Sequence, residues 1–198
     1  GKNMGIWDEV HLITTERANM RRAAITTDLD LPSMSNAAIE ISVDLVNPTS
    51  NDVEAVLRIE LEGEQCLLDV TLNGNATTTK EITAAECPML NMEDPEVWWP
   101  YEWGNQPLYD LDLALLVDSD VSDIEHMRFG VRKMESNLTA NGHCLFSVNG
   151  QPILLRGAGY TPDIFMRFDE NRARHEMEYV RDMGLNAIRL EGKLGDDA

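Results

Sequence analysis

The sequence predicts an antiparallel β-sandwich of immunoglobulin type, followed by the opening strand, helix and strand of a parallel α/β domain. Two observations carry this. From Trp7 to Arg132 apolar residues recur almost throughout with a period of two, interrupted by turn clusters. From Phe146 to Gly192 the pattern changes to a short apolar run, a helical period, and a second short apolar run.

Taken in order, Ile39, Ile41, Val43 and Leu45 alternate with Glu40, Ser42 and Asp44, as in a half-buried strand. The cluster from Asn47 to Asp52 is a turn. Val53, Ala55, Leu57, Ile59 and Leu61 then alternate with Glu54, Arg58 and Glu60 and are expected to form a partner strand. Gly63 ends it, a strand follows from Cys66 to Leu72, and Asn73-Gly74 is a hairpin signal. A Thr-rich strand runs to Ile82. Tyr109, Leu111, Leu113, Leu115 and Val117 make another, and after Asp118-Ser119-Asp120 a last strand is expected from Ile124 to Val131. Seven or eight such strands fit a sandwich. Residues 1–22 fit less clearly: Trp7 to Ile13 reads either as the opening strand or as the tail of a preceding domain.

Residues 133–144 are polar and read as a linker, and residues 145–198 as the α/β segment. Ile153-Leu154-Leu155 follows an Asn-Gly turn and reads as a strand buried on both faces. Asp169 can cap a helix along which Ala173, Met177, Val180 and Met183 form one apolar stripe, with Gly184 at its left-handed end. Arg172 with Glu176, and Arg174 with Glu178, are i,i+4 pairs on the outer face. Ala187-Ile188-Arg189-Leu190 begins a second strand, expected beside Ile153–Leu155; a crossover helix requires the two to be parallel. One helix cannot cover both faces of such a pair, so the chain is expected to be a piece of a longer protein.

Composition narrows the function classes. The chain has 198 residues, 43% hydrophobic and 26% charged, with a formal net charge of -19. Such a surface disfavours nucleic acid and anionic membranes as partners, and no apolar run is long enough to span a bilayer. Cys66, Cys87 and Cys144 lack CxxC spacing, and His11, His126, His143 and His175 lack ligand spacing, so neither metal nor cofactor is implied. Sequons at Asn75 and Asn137 permit glycosylation and an extracellular location, at a frequency that chance alone would supply.

Four groups of residues, in order, resemble glycoside hydrolase family 2. Trp99-Pro100, Gly104, Gln106-Pro107-Leu108-Tyr109 and Leu111 look like the W-x-P…G…P-L-Y-x-L signature of its sandwich domain, and Phe129-Gly130-Val131-Arg132 like the F-G-x-R that closes it. Phe146, Asn149-Gly150, Pro152 and Arg156-Gly157 resemble the F-x-x-N-G-x-P…R-G entry to the family's (β/α)8 barrel. Gly184 to Arg189 resembles the G-x-N-x-x-R of its second barrel strand. Leu190-Glu191-Gly192-Lys193 departs from the Ser/Thr-x-His-Tyr-Pro run of β-galactosidase and β-glucuronidase members, and lacks the Trp and Gly of the β-mannosidase branch. With Gly159 to Asp163, it looks most like the branch acting as exo-β-D-glucosaminidases on chitosan.

The resemblance implies a retaining hydrolase with two catalytic Glu roughly 5 Å apart at later strand ends, so that no catalytic residue lies in this chain and the chain alone is inactive. It also implies that Arg189, beside the nucleophile, holds that Glu ionised; the alternative is a structural ion pair. Glu191 and Asp163, at strand ends, could pair with the ammonium group of a β-linked glucosamine oligosaccharide, or be solvated loop charges. Tyr160 either lines the sugar pocket or fills the loop. Trp98, Trp99 and Trp103 could stack on sugar, but packing of the sandwich accounts for them more simply. A second reading stays open: a non-catalytic β-sandwich binding or scaffold module. So does a family 2 hydrolase of other specificity, toward β-mannosides or β-galactosides.

Overall fold

The computed structural model describes residues 10, 12, 14–15, 17–161 and 169–190. Two compact units are present, one made of residues 14–136 with 147–151, the other of residues 1–13, 137–146 and 152–198.

The first unit is a two-sheet sandwich. One sheet contains β1 (Asn19–Leu29), β2 (Asn36–Asn47) and β5 (Ala76–Ile82) in the order β1-β2-β5, with β6 (Asn91–Glu93) also pairing with β2. The other contains β3 (Val53–Leu61), β4 (Glu64–Leu72), β7 (Tyr109–Val117) and β8 (Asp120–Phe129) in the order β4-β3-β7-β8. All of these pairings are antiparallel. The alternating residues do what their period requires: Ile39, Ile41 and Leu45 of one sheet and Leu57, Ile59, Leu111, Leu113 and Leu115 of the other are fully buried in one core. Each such side chain contributes about 1.5–3 kcal/mol of burial energy.

The strands fall where alternation places them, but two connections differ from expectation. β2 and β3 do not pair; they lie in different sheets. The turn between them is organised by buried Asn47, whose Nδ2 donates to the carbonyls of Asn51 and Leu72, both at 2.9 Å. Its Oδ1 accepts the amide and hydroxyl of Thr49. Asn73-Gly74 is likewise a crossing between sheets and not a hairpin, because β4 pairs with β3 and β5 with β2. Gly74 is needed for a different reason from a hairpin: a Cβ there would come within 2.4 Å of the Ser50 carbonyl oxygen. The two-residue turns that do form hairpins use left-handed backbone at Glu62-Gly63 and Asp118-Ser119.

The opening strand is a correction to the reading of residues 1–22. β1 starts at Asn19, so residues 19–22 belong to the sandwich, while Trp7 and most of the segment expected as a strand lie outside the described residues. A bulge between Arg21 and Ala24, with Arg22 at φ 51°, breaks the alternation that would have revealed it. Arg22 Nε donates to buried Asp44 at 2.6 Å, and the Thr79 hydroxyl donates to the other carboxylate oxygen at 2.7 Å.

Residues 133–144 are not a bare linker. They contain β9 (Met134–Leu138), which with β10 (Cys144–Val148) and β11 (Gln151–Ile153) makes a sheet ordered β11-β10-β9. Asn149-Gly150 is the left-handed turn between β10 and β11.

In the second unit β12 (Gly157–Tyr160) and β13 (Ala187–Leu190) pair in parallel, joined through α1 (Glu170–Asp182). The expected strand at Ile153–Leu155 is therefore displaced: Ile153 ends β11, Leu154 is 74% exposed, and the partner of β13 begins at Gly157. The helix conforms to its sequence signals, with Asp169 accepting the Arg172 amide at 2.8 Å and Gly184 left-handed at φ 70°. Arg172 pairs with Glu176 at 2.7 Å, but Arg174 pairs with Glu170 at 2.6 Å and not with the expected Glu178.

Candidate functional site

The motif residues divide into those that build the scaffold and those at its open end. In the sandwich, Trp98 lies over Gly130, where a Cβ would sit 2.9 Å from its ring, and the Arg132 guanidinium stacks 4.5 Å from the ring centroid. Phe129 stacks on Tyr109 at 5.7 Å. Trp99 packs on Gly104 and meets Trp103 edge-on at 6.2 Å, and its carbonyl accepts Gln106 Nε2 at 2.8 Å. Trp99 thus packs against its own loop and Trp98 against the segment that follows β8, while Tyr109 and Phe129 form a cross-strand pair between β7 and β8. Asn149, 2% exposed, accepts the Lys133 amide at 2.8 Å and donates to the Trp98 carbonyl at 3.0 Å. Sequence reading recognised Asn149 as a turn residue and missed this bracing role, for which a buried Asn leaves no periodic signal.

The parallel pair is built by its own motif residues. Asn186 acts as an extra rung: its Oδ1 accepts the Arg156 amide at 2.8 Å and its Nδ2 donates to the Leu154 carbonyl at 3.1 Å. The Arg156 carbonyl accepts the amides of Asn186 and Ala187, and Arg156 Nε donates to the Gly184 carbonyl at 3.0 Å. Gly157 permits the close approach, since a Cβ would fall 2.2 Å from the Ala187 carbonyl oxygen.

Of the four residues singled out for substrate, Tyr160 and Arg189 are described; Asp163 and Glu191 lie outside the described residues. Tyr160 ends β12, and its hydroxyl donates to Glu176 of α1. That hydrogen bond, followed by burial, raises the phenol above its usual pKa. Glu176 also takes Arg172 Nε at 2.7 Å, so Tyr160 ties the strand to the helix. Side chains alternate across a strand, so Gly159 and its register partner Arg189 face away from α1. Tyr160 and Arg189 are thus at the same end of the pair but on opposite faces. Arg189 lines an open cavity of ≈ 430 Å³ with Leu155, Gly157, Ala158, Gly159, Ala187 and Ile188. Among the described residues, this face carries the small side chains of β12, with the Arg189 cation at the carboxyl-terminal strand ends. An oriented guanidinium beside an apolar depression suits a carboxylate or a polyhydroxylated ligand.

Among the described residues, no cluster of three or more His, Cys, Asp or Glu is placed to hold a metal ion. No described helix is long and apolar enough to cross a membrane.

A sandwich joined in sequence to a parallel strand–helix–strand makes this a chain that passes from an antiparallel β region into the start of an α/β region. The sequence profile of Glycosyl hydrolases family 2 matches residues 18–132, and the chain belongs to that family. It is 35% identical to an exo-beta-D-glucosaminidase of Streptomyces avermitilis, over 99% of this chain and 22% of that protein. It is 30% identical to a mannosylglycoprotein endo-beta-mannosidase of Lilium longiflorum, over 96% of this chain and 21% of that one. The crystal structure of the Amycolatopsis orientalis exo-chitosanase superposes with a TM-score of 0.81 at 32% identity, covering 91% of this chain and 20% of that chain. A β-galacturonidase from Eisenbergiella tayi shares the fold at 17% identity and a TM-score of 0.71. The chain spans about a fifth of the length of these glucosaminidase and exo-chitosanase relatives.

Proposed function

We propose that this chain is the part of a retaining exo-β-D-glucosaminidase that carries the structural sandwich and the first strand–helix–strand of the catalytic barrel. The remainder of the barrel supplies the two catalytic Glu, and the chain alone hydrolyses nothing. The single observation that supports this most is the placement of Arg189 at the carboxyl-terminal end of a parallel strand, on the face away from the helix and beside an open cavity. Barrel enzymes build their active sites at that end. There a fixed guanidinium holds a neighbouring nucleophilic Glu ionised, as the first step of a retaining reaction requires. Glu191 and Asp163, one and three residues beyond the ends of β13 and β12, are the candidate partners for the substrate ammonium group. The substrate is a chitosan oligosaccharide, in keeping with the glucosaminidase relatives. An extracellular location is in keeping with a polymeric substrate and with the exposed sequons at Asn75 and Asn137.

The 30% identity to a plant endo-β-mannosidase favours a second specificity, toward β-mannosides. Assay of the full-length enzyme on chitosan oligomers against aryl β-mannosides and β-galactosides separates the two. Release of glucosamine from chitosan oligomers is expected; preference for a neutral sugar overturns the glucosaminidase assignment. Activity of the 198-residue chain by itself overturns the division of labour.

A further inference from the structure

The two long sides of the sandwich are closed differently. On one side β1 and β8 are laced by hydrogen bonds: the Ser122 hydroxyl donates to the Ala18 carbonyl and accepts the Ala18 amide at 3.1 Å, and Asp123 accepts the Met20 amide at 2.7 Å. On the other side the edge strands are β4 and β5, one from each sheet. Cys66 lies on β4, and Cys87 follows β5 in a turn fixed by its amide donating to the Thr83 carbonyl at 3.0 Å. The Cys66 thiol sits 3.7 Å from the carbonyl oxygen of Glu86, the residue before Cys87, so it lies against the turn that carries Cys87. Cys87 is fully buried and Cys66 is half-buried, both against the core. Cys144, the third cysteine, is exposed.

We propose that Cys66 and Cys87 are an oxidation site: under oxidising conditions they form a disulfide that staples the two sheets along their open β4–β5 side. The reaction needs a disulfide-form oxidant such as glutathione disulfide. The exposed flank of Cys66 makes it the attacking thiolate: it bonds to one glutathione sulfur and expels the other glutathione as a thiolate. Cys87 then loses its proton to solvent and attacks the Cys66 sulfur, forming the intramolecular bond and expelling the second glutathione. Two protein thiols and one glutathione disulfide become one protein disulfide and two glutathione thiols. Burial, with the neighbouring Cys66 thiol second, pushes the Cys87 thiol up to about 12. Its thiolate is scarce, so Cys87 acts second, as the resolving thiol.

The test is to incubate the unaltered chain in a glutathione redox buffer, block free thiols by alkylation, and map peptides by mass with and without reduction. The expected result is a bridged peptide pair containing Cys66 and Cys87, an alkylated Cys144, and a melting midpoint raised by about 5–10 °C over the reduced chain. The Cys66→Ala variant should abolish both the bridge and the rise, leaving Cys87 unreacted in the folded chain. A bridge through Cys144, a Cys66–glutathione adduct that persists without transfer, or three free thiols at equilibrium with glutathione disulfide overturns the proposal.

Discussion

Asn149→Ala gives the sharpest quantitative test of how the sandwich unit is braced. The side chain is buried and bonds the Lys133 amide at 2.8 Å and the Trp98 carbonyl at 3.0 Å. Each such bond contributes about 1 kcal/mol net, and a partner left without water costs more. Asn149 also sits at φ 51°, where an alanine is disfavoured by about 1 kcal/mol. The total expected loss is about 3 kcal/mol, a fall in melting midpoint of about 6–12 °C for a chain of this size. Asn149→Gly removes the bonds but relieves the backbone, so it should lose about 2 kcal/mol. Urea titration of both variants, followed by tryptophan fluorescence, measures the two losses and their difference. A loss below about 0.5 kcal/mol for Asn149→Ala would refute the bracing role, since two buried bonds cannot vanish at so small a cost. Equal losses for the two variants would refute the backbone part alone.

Three further outcomes are expected. Gly130→Ala forces a methyl within 2.9 Å of the Trp98 ring and should cost about 1–3 kcal/mol, with altered tryptophan fluorescence; an unchanged midpoint would contradict the packing. Gly157→Ala places a Cβ 2.2 Å from the Ala187 carbonyl oxygen and should part β12 from β13, read as faster hydrogen exchange at Ile188 and Leu190. Hydrogen bonds from Thr79 and then Arg22 hold Asp44 below its usual pKa, so its stabilising effect is present above an unfolded value of about 3.9 and is lost as pH falls through the folded value. The stability gap between wild type and Asp44→Asn should therefore narrow on acidification below about pH 4, and a gap that widens would reverse the sign.

How far the sequence discloses this structure depends on what each element rests on. The sandwich strands are legible because one face of each is buried, and alternation records that directly at Ile39 to Leu45 and Tyr109 to Val117. Which strand pairs with which is not recorded there. Asn73-Gly74 has the composition of a hairpin turn, yet the deciding fact is the approach of Gly74 to Ser50, a contact remote in sequence. The strand Gly157–Tyr160 has almost no hydrophobic signature; its pairing comes from the Asn186 side chain and from backbone proximity that only glycine admits. The apolar run at Ile153-Leu154-Leu155 offered a stronger pattern and drew the strand four residues too early. The polar residues 133–144 read as a linker because β9 is exposed along most of its length and carries no apolar face to betray it. At the candidate site, Arg189 was identifiable through motif resemblance, and its face follows from register. The turn of Tyr160 toward Glu176 is not visible in the sequence, because it joins residues of a strand and a helix sixteen positions apart.

The most direct test of the central claim is Arg189→Ala in the full-length enzyme, with Arg189→Lys alongside. A cation that keeps the nucleophile ionised predicts that Arg189→Ala lowers kcat/KM on chitosan oligomers by about 10²–10³, moves the acid limb of its pH profile upward, and leaves the melting midpoint unchanged. Arg189→Lys, which keeps the charge, should restore the position of the acid limb. Activity within twofold of wild type, or a loss matched by a fall in stability with no shift of the pH profile, would contradict a place for Arg189 in the active site.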